Sequence, residues 1–272
     1  MKTIILPTDF SDNAKNAIRF TIDMYGTENV RYVLVNAYGM HHNSSAMMIN
    51  LDDVLHKDAE TSMETEMNYI LSCYKDKKPA LSSVIRKGDL AEVIGVVFKM
   101  EKADMIAMGT KGDSGVDKVL MGSNTSHVIK MALCPVLAIP EGARYSKMDR
   151  LVFTTDLKKV SDASRQAIAD VCKMTGARLD VVNVHDQAEV GAETERRMAE
   201  VNHMFSDVSH QIHTVQDDNV SEGINTFVEQ NGADLIFMLA REESFFYRLF
   251  NPSHTRKMAL HTEVPLLVLY EK

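Results

Sequence analysis

Cysteine is scarce in this chain and forms no pattern. Cys73, Cys134 and Cys172 are odd in number, widely scattered and free of any Cys-x-x-Cys spacing. That argues against a disulfide framework or a zinc ribbon and leaves reduced, mostly buried thiols. Long hydrophobic runs are missing too, since no stretch approaches the roughly twenty apolar residues of a membrane span. The opening, Met1-Lys-Thr-Ile-Ile-Leu-Pro-Thr-Asp, reaches Pro7 and Asp9 too early for a signal peptide, so a cytoplasmic protein is expected. Positive charge is in deficit. A formal net charge of −8 argues against a nucleic-acid backbone or an anionic membrane as main partner, because both select clustered Lys and Arg. Small phosphates held by local backbone dipoles remain compatible with it.

What the chain has instead is 45% apolar residues over 272 positions, enough for two ordinary domains with a core each. It also has an internal repeat. Ile4-Ile-Leu-Pro-Thr-Asp9 matches Leu151-Val-Phe-Thr-Thr-Asp156, and Val33-Leu-Val-Asn36 matches Asp180-Val-Val-Asn183 at the same offset. Ala103-Asp-Met-Ile-Ala-Met108 matches Ala233-Asp-Leu-Ile-Phe-Met238, and Pro135-Val-Leu137 matches Pro265-Leu-Leu267, at a shorter offset. The first copy is therefore longer in its middle.

Each copy reads as short apolar or β-branched strands alternating with longer helical stretches, the pattern of βαβ units in a sheet buried on both faces. Strands are predicted near 3–6, 32–36, 82–86, 105–108 and 136–139, and again near 151–154, 179–183, 211–215, 235–239 and 266–269. Helices in the first copy are predicted near 12–24, 53–74, 90–99 and 125–133. Right-handed crossovers then give each copy an open, doubly wound, mostly parallel five-stranded sheet. The domains are expected at 1–142 and 148–272, with the Gly-, Pro- and charge-bearing stretch 140–149 as linker. The added length of copy one carries Met40, Met47, Met48, Met63 and Met67, with His41 and His42 at its entrance. It is predicted to be a longer helix whose core face is filled by Met, the alternative being an adaptable Met-rich surface for a partner.

The sharpest feature is Gly109-Thr-Lys-Gly112-Asp-Ser-Gly-Val-Asp-Lys-Val-Leu-Met-Gly122-Ser123, which follows the strand Met105-Ile-Ala-Met108 and opens a helix. Glycines let the backbone approach an anion, and the helix start adds its positive dipole end. Open α/β sheets place their ligands at this end of a strand. The spacing, Gly-x2-Gly-x9-Gly-Ser, is neither the dinucleotide fingerprint nor the P-loop. Singly, these residues also read as turn chemistry, with Asp9 organising the entry to the first helix, Ser123 and Thr125 as caps, and Lys111 and Lys118 solvated. Their joint occurrence favours a phosphate site. In copy two a gapless alignment puts Leu239, Glu242, Pro252 and Ser253 on Gly109, Gly112, Gly122 and Ser123. The glycines are gone, Glu242 and Glu243 add negative charge, and Phe245, Phe246 or Tyr247 is expected to fill the vacated space, the alternative being that these aromatics recognise a partner or a different, apolar ligand. Copy two is not expected to bind phosphate in this way. His203, His210 and His213 lack a completing Cys or carboxylate and read as adventitious surface histidines.

The tandem α/β repeat, the first strand ending Leu-Pro-Thr-Asp-Phe-Ser, and the glycine loop followed by Cys134-Pro-Val-Leu together resemble the universal stress protein family in its two-domain form. The resemblance implies that family's adenine-nucleotide α-hydrolase-like fold, with edge strands near 135–139 and 265–269 pairing to make an internal pseudo-dimer. The loop is the pattern of the family's ATP-binding members. By resemblance, copy one holds ATP, with Mg²⁺ as an optional companion. Asp9 would lie near adenine and ribose, Pro7 and Thr8 would shape the wall, and Ala37 would meet adenine through its backbone. Met108 and Gly109 would line the ribose. Gly112, Gly122, Ser123, Asn124 and Thr125 would hold the phosphates, with Lys111 adding a charge. These are binding roles, and no general base for hydrolysis can be named. The nucleotide is thus expected to act as a signal in a stress-response regulator that associates with protein partners, with at most slow turnover. The alternative is a nucleotide-independent scaffold paired through edge strands. Nucleotidyl-transferring enzymes of the wider group carry His-x-Gly-His or Ser-Gly-Gly-x-Asp, and neither occurs here.

Overall fold

The computed structural model describes residues 1–39, 48–110, 122–131, 133–185, 191–241 and 263–271. They form two compact units, the first ending at Tyr145 and the second beginning at Ser146. Unit 1 runs β1 (Lys2–Pro7), α1 (Asp12–Tyr25), β2 (Val30–Tyr38), α2 (Met48–Cys73), β3 (Ala80–Lys87), α3 (Leu90–Glu101), β4 (Met105–Gly109), α4 (Ser123–Lys130) and β5 (Val136–Ile139). Its strands lie in the order β3-β2-β1-β4-β5 with parallel pairing. Unit 2 runs β6 (Arg150–Thr154), α5 (Asp162–Thr175), β7 (Arg178–His185), α6 (Ala192–Met204), β8 (His210–Gln216), α7 (Val220–Asn231), β9 (Leu235–Ala240) and β10 (Leu266–Tyr270). Its order, β8-β7-β6-β9-β10, repeats that of unit 1, again in parallel.

In both sheets the winding direction reverses beside the first strand, between β1 and β4 and between β6 and β9. Such a switch point leaves a crevice at the carboxyl ends of the strands. The central strands are apolar because both faces are covered, with Ile4, Ile5 and Leu6 in β1 and Leu151, Val152 and Phe153 in β6 all 0% exposed, whereas β3 and β8 are more polar and half-buried or exposed. Burying each such side chain contributes about 1.5–3 kcal/mol.

Helix starts follow their caps. Ser11 accepts from Ala14 N and Ser161 from Ser164 N, both at 3.2 Å, while Asp89 accepts from Ala91 N at 2.9 Å. The helix α2 begins earlier than predicted, at Met48, and α4 spans Ser123–Lys130, earlier at both ends than predicted. Met63 is 2% exposed, so it fills core as expected of the long helix. Met40, Met47, His41, His42 and the side chain of Met48 lie outside the described residues.

The repeat extends to individual hydrogen bonds. Asn36 Nδ2 donates to the Thr8 carbonyl at 2.8 Å, as Asn183 Nδ2 does to the Thr155 carbonyl at 2.9 Å. Thr8 Oγ1 accepts from Phe10 N at 2.9 Å, and Thr155 Oγ1 accepts from Leu157 N at 3.0 Å. These hydroxyls hold a turn in which Phe10 (φ 65°) and Leu157 (φ 58°) adopt the left-handed region. A bulky residue there costs about 1–3 kcal/mol, which the surrounding bonds must offset.

Candidate functional site

At the switch point of unit 1 the end of β1, β2, β4 and the start of α4 enclose a cavity of about 150 Å³. Pro7, Thr8, Asp9, Ala37, Met108, Gly109, Gly122, Ser123, Asn124 and Thr125, all singled out from the sequence, line it together. Lys111 and Gly112 lie outside the described residues, as does Lys118. The wall is completed by Ala14 of α1, Asn36 of β2 and Leu90 of α3, which the sequence reading did not single out. Asn36 was legible in principle, because it is a polar residue ending an apolar strand in both copies.

The start of α4 forms part of the rim. Gly122 takes the N-cap position with no side-chain hydrogen bond, in contrast to the capped α1 and α3. The first-turn N–H groups of a helix have no intrahelical acceptor and carry its positive dipole end, so an uncapped start favours an incoming acceptor. Two bonds anchor this end of α4 to β4. Gly122 N donates to the Thr110 carbonyl, and Thr125, 2% exposed, donates its hydroxyl to the Gly109 carbonyl at 2.7 Å. The Thr125 hydroxyl hydrogen is thus committed within the fold, and this residue faces the cavity as a positioning element.

Gly109 has a structural reason of its own. A Cβ there would stand 2.6 Å from Asn13 Nδ2 and 2.9 Å from Asn13 Cγ, so any larger residue forces the Asn13 side chain of α1 to move. Asp9 is exposed and accepts from Ser11 N at 3.1 Å and from the Ser11 hydroxyl, closing the turn into α1. The turn-forming reading of Asp9 and its place on the cavity wall are therefore both true.

Behind the wall stands Glu66 of α2, 2% exposed, whose Oε1 accepts from the Thr8 hydroxyl at 2.8 Å. Burial pushes its carboxyl above the usual range, with Asp9 acting in the same direction and the Thr8 bond and Lys15 against it. It too was missed, although its spacing gives it away: Ala59, Met63, Glu66 and Ile70 form one buried helical stripe with an acid in the middle.

The corresponding edge of unit 2 is built differently. Asp156, the counterpart of Asp9, pairs with Arg241 Nη1 at 2.8 Å, and Arg241 Nη2 donates to the Lys159 carbonyl. Leu239, on the position of Gly109, is 3% exposed. Glu242, Glu243, Phe245, Phe246, Tyr247, Pro252 and Ser253 lie outside the described residues. The histidines go separate ways, His210 to Asn202 and Val208 and His213 to Asp180, and among the described residues no three His, Cys, Asp or Glu gather as a metal site. No helix among them is long and apolar enough to cross a membrane.

Comparison with known proteins agrees with this architecture. The chain is 30% identical over 145 residues to a universal stress protein of Thermus aquaticus encoded in a QAH/OAS sulfhydrylase 3′ region, a match spanning 51% of this chain and 98% of that one. It is 26% identical over 144 residues to universal stress protein G of Salmonella typhimurium, spanning 51% and 98%. Among solved structures, a universal stress protein from Archaeoglobus fulgidus superimposes with a TM-score of 0.71 at 20% identity, covering 99% of this chain and 96% of that one. A putative universal stress protein from Pseudomonas aeruginosa gives 0.67 at 14% identity, covering 99% and 93%. The sequence profile of the Universal stress protein family matches twice, over residues 1–140 and 148–269, and the chain belongs to that family as two consecutive copies of its α/β domain.

Proposed function

We propose that unit 1 binds ATP and that the protein is a cytoplasmic, nucleotide-responsive regulator of a stress response, with the nucleotide as signal. The observation that carries this reading is the convergence of ten sequence-selected residues on one cavity whose rim is an uncapped helix start. A cavity of about 150 Å³ is smaller than whole-ligand sites of roughly 300–1,000 Å³. It suits a base and sugar, with the polyphosphate running out along the first turn of α4. Backbone N–H groups there would take phosphate oxygens, and Mg²⁺ would arrive bound to the phosphates.

Asp9 is the sole titratable side chain among the described residues of the lining, and it is exposed and engaged with Ser11. Such a lining supports binding better than turnover, which would require a positioned water and charge stabilisation in the transition state.

The test is mass spectrometry of nucleotide released from freshly purified protein, followed by calorimetric titration of Mg-ATP into wild type and Gly122→Val. One ATP per chain, lost in the variant, is expected. No nucleotide and no heat would overturn the reading and favour a nucleotide-independent scaffold.

A further inference from the structure

Glu66 is an expensive residue for the fold to carry. It sits in the apolar stripe of α2, 2% exposed. While Oε1 accepts from Thr8 at 2.8 Å, Oε2 is buried and has no hydrogen-bond partner among the described residues. A buried polar atom left unbonded costs stability, so its presence asks for a reason. Holding the strained turn is not that reason, because unit 2 provides the control. There Thr155 holds Leu157 N at 3.0 Å in the same left-handed turn, and among the described residues it makes no hydrogen bond to a carboxylate. The turn forms without the acid. What differs is the cleft in front of it, whose wall includes Thr8 and Asp9.

We propose that Glu66 is a positioning residue of the unit 1 cleft, acting through Thr8 and making the binding of a polyphosphate anion there depend on pH. This rests on the nucleotide reading above. As a neutral acid, Glu66 fixes the Thr8 hydroxyl and adds no charge. Ionised, it joins Asp9 in placing negative charge behind the wall that a polyphosphate must approach. The charged groups acting on it are Lys15 from α1 and Asp9 from the β1–α1 turn, and β2 and β3, which also pack against α2, contribute none. Because burial favours the protonated form in the folded state, stability falls as pH rises from the ordinary carboxylate range through the raised one. A bound anion favours that proton further, so binding takes up a proton and affinity falls as pH rises through the same window.

The test titrates Mg-ATP into wild type, Glu66→Gln and Glu66→Leu from the ordinary carboxylate value of 4.5 up to roughly pH 8.5, with the ratio of dissociation constants as readout because ATP itself titrates in that range. Gln keeps an acceptor for Thr8 without a charge. The expected result is near-equal affinity of wild type and Glu66→Gln at the acid end and about three- to tenfold weaker binding by wild type at the alkaline end. Glu66→Leu, which offers Thr8 no acceptor, binds more weakly than Glu66→Gln at every pH. A constant ratio between wild type and Glu66→Gln, with ATP bound by both, overturns this inference alone. Absence of ATP binding by wild type overturns the nucleotide reading and this one with it.

Discussion

Units 1 and 2 share the bonds that shape the turn after their first strands and differ in the residues around it. The Asn-to-Thr carbonyl bond, the Thr hydroxyl under a left-handed residue and the serine cap of the following helix occur in both. So does an aspartate bracing the start of the first strand, with Asp104 accepting from Thr3 N at 2.7 Å and Asp234 from Arg150 N at 2.9 Å. At the rim the copies part. Asp9 stands exposed in unit 1, whereas in unit 2 Arg241 occupies Asp156, and Glu271 at the end of β10 accepts from Ser161 N at 3.0 Å and from its hydroxyl at 3.1 Å. The difference separates two demands on one fold. The crevice belongs to the topology, while its use as a site depends on a few residues that can be replaced without loss of the sheet.

Exchanging residues between the units tests that separation, and the largest effect is expected deep in unit 2. Asp180, 0% exposed, lies 3.4 Å from Arg150 Nε, 3.2 Å from Arg178 Nε and 3.1 Å from His213 Nε2, where the repeat places Val33 in unit 1. Asp180→Val imports the unit 1 residue but takes the carboxylate from Arg178, His213 and Arg150, of which Arg150 keeps a bond to Asn231. A buried partner lost in this way costs about 3–5 kcal/mol, and the low end is expected because both arginines are partly exposed and can rehydrate. Urea unfolding measures it. No loss would mean that the ion cluster is dispensable packing.

The reverse exchange, Gly109→Leu, imports the residue of unit 2 into the cleft of unit 1. With a Cβ only 2.6 Å from Asn13 Nδ2, overpacking should cost about 1–3 kcal/mol, read by urea unfolding, and calorimetry should show ATP binding lost. Adding Asn13→Ala should restore much of the stability and none of the binding. Recovery of both would show that Gly109 serves only helix packing.

The order of these elements was legible because fully buried parallel strands are short apolar runs, and in each copy Asp or Ser marks a helix start. The glycine loop was legible for a related reason, because glycines and a hydroxyl between a strand and a helix suit an anion, whereas Pro7, Thr8, Asp9, Ala37 and Met108 followed from the family resemblance. Other features gave no local signal. The left-handed Phe10 carries a side chain that disfavours this conformation, and only the hydroxyl two residues before it explains the turn. The Arg241–Asp156 pair joins residues from opposite ends of a domain, which no spacing rule can connect. Glu66 did leave a trace in its helical stripe, but the stripe was read for its methionines.

Arg241→Ala sharpens the comparison at smaller cost. The pair is partly exposed, with side chains at 16% and 31%, so its loss should lower stability by about 1 kcal/mol in urea. Calorimetry should find no added ATP stoichiometry, because Lys158 remains beside Asp156 and the glycines are not restored. A second equivalent of ATP would show that the ion pair alone had closed unit 2.

The smallest effect is one of accessibility. Cys73 is exposed, whereas burial pushes the Cys134 and Cys172 thiols up to about 12. Near pH 8 a thiol with that value is ionised in roughly one molecule in ten thousand, so a thiolate-selective reagent should modify Cys73 quickly and the other two only as the fold opens. Cys134 then reports on unit 1 and Cys172 on unit 2. Gly109→Leu should accelerate labelling of Cys134 and leave Cys172 unchanged, and Asp180→Val should do the opposite. If both thiols respond to either substitution, the two copies open as one cooperative body, and the independence inferred from their different rims does not extend to their stability.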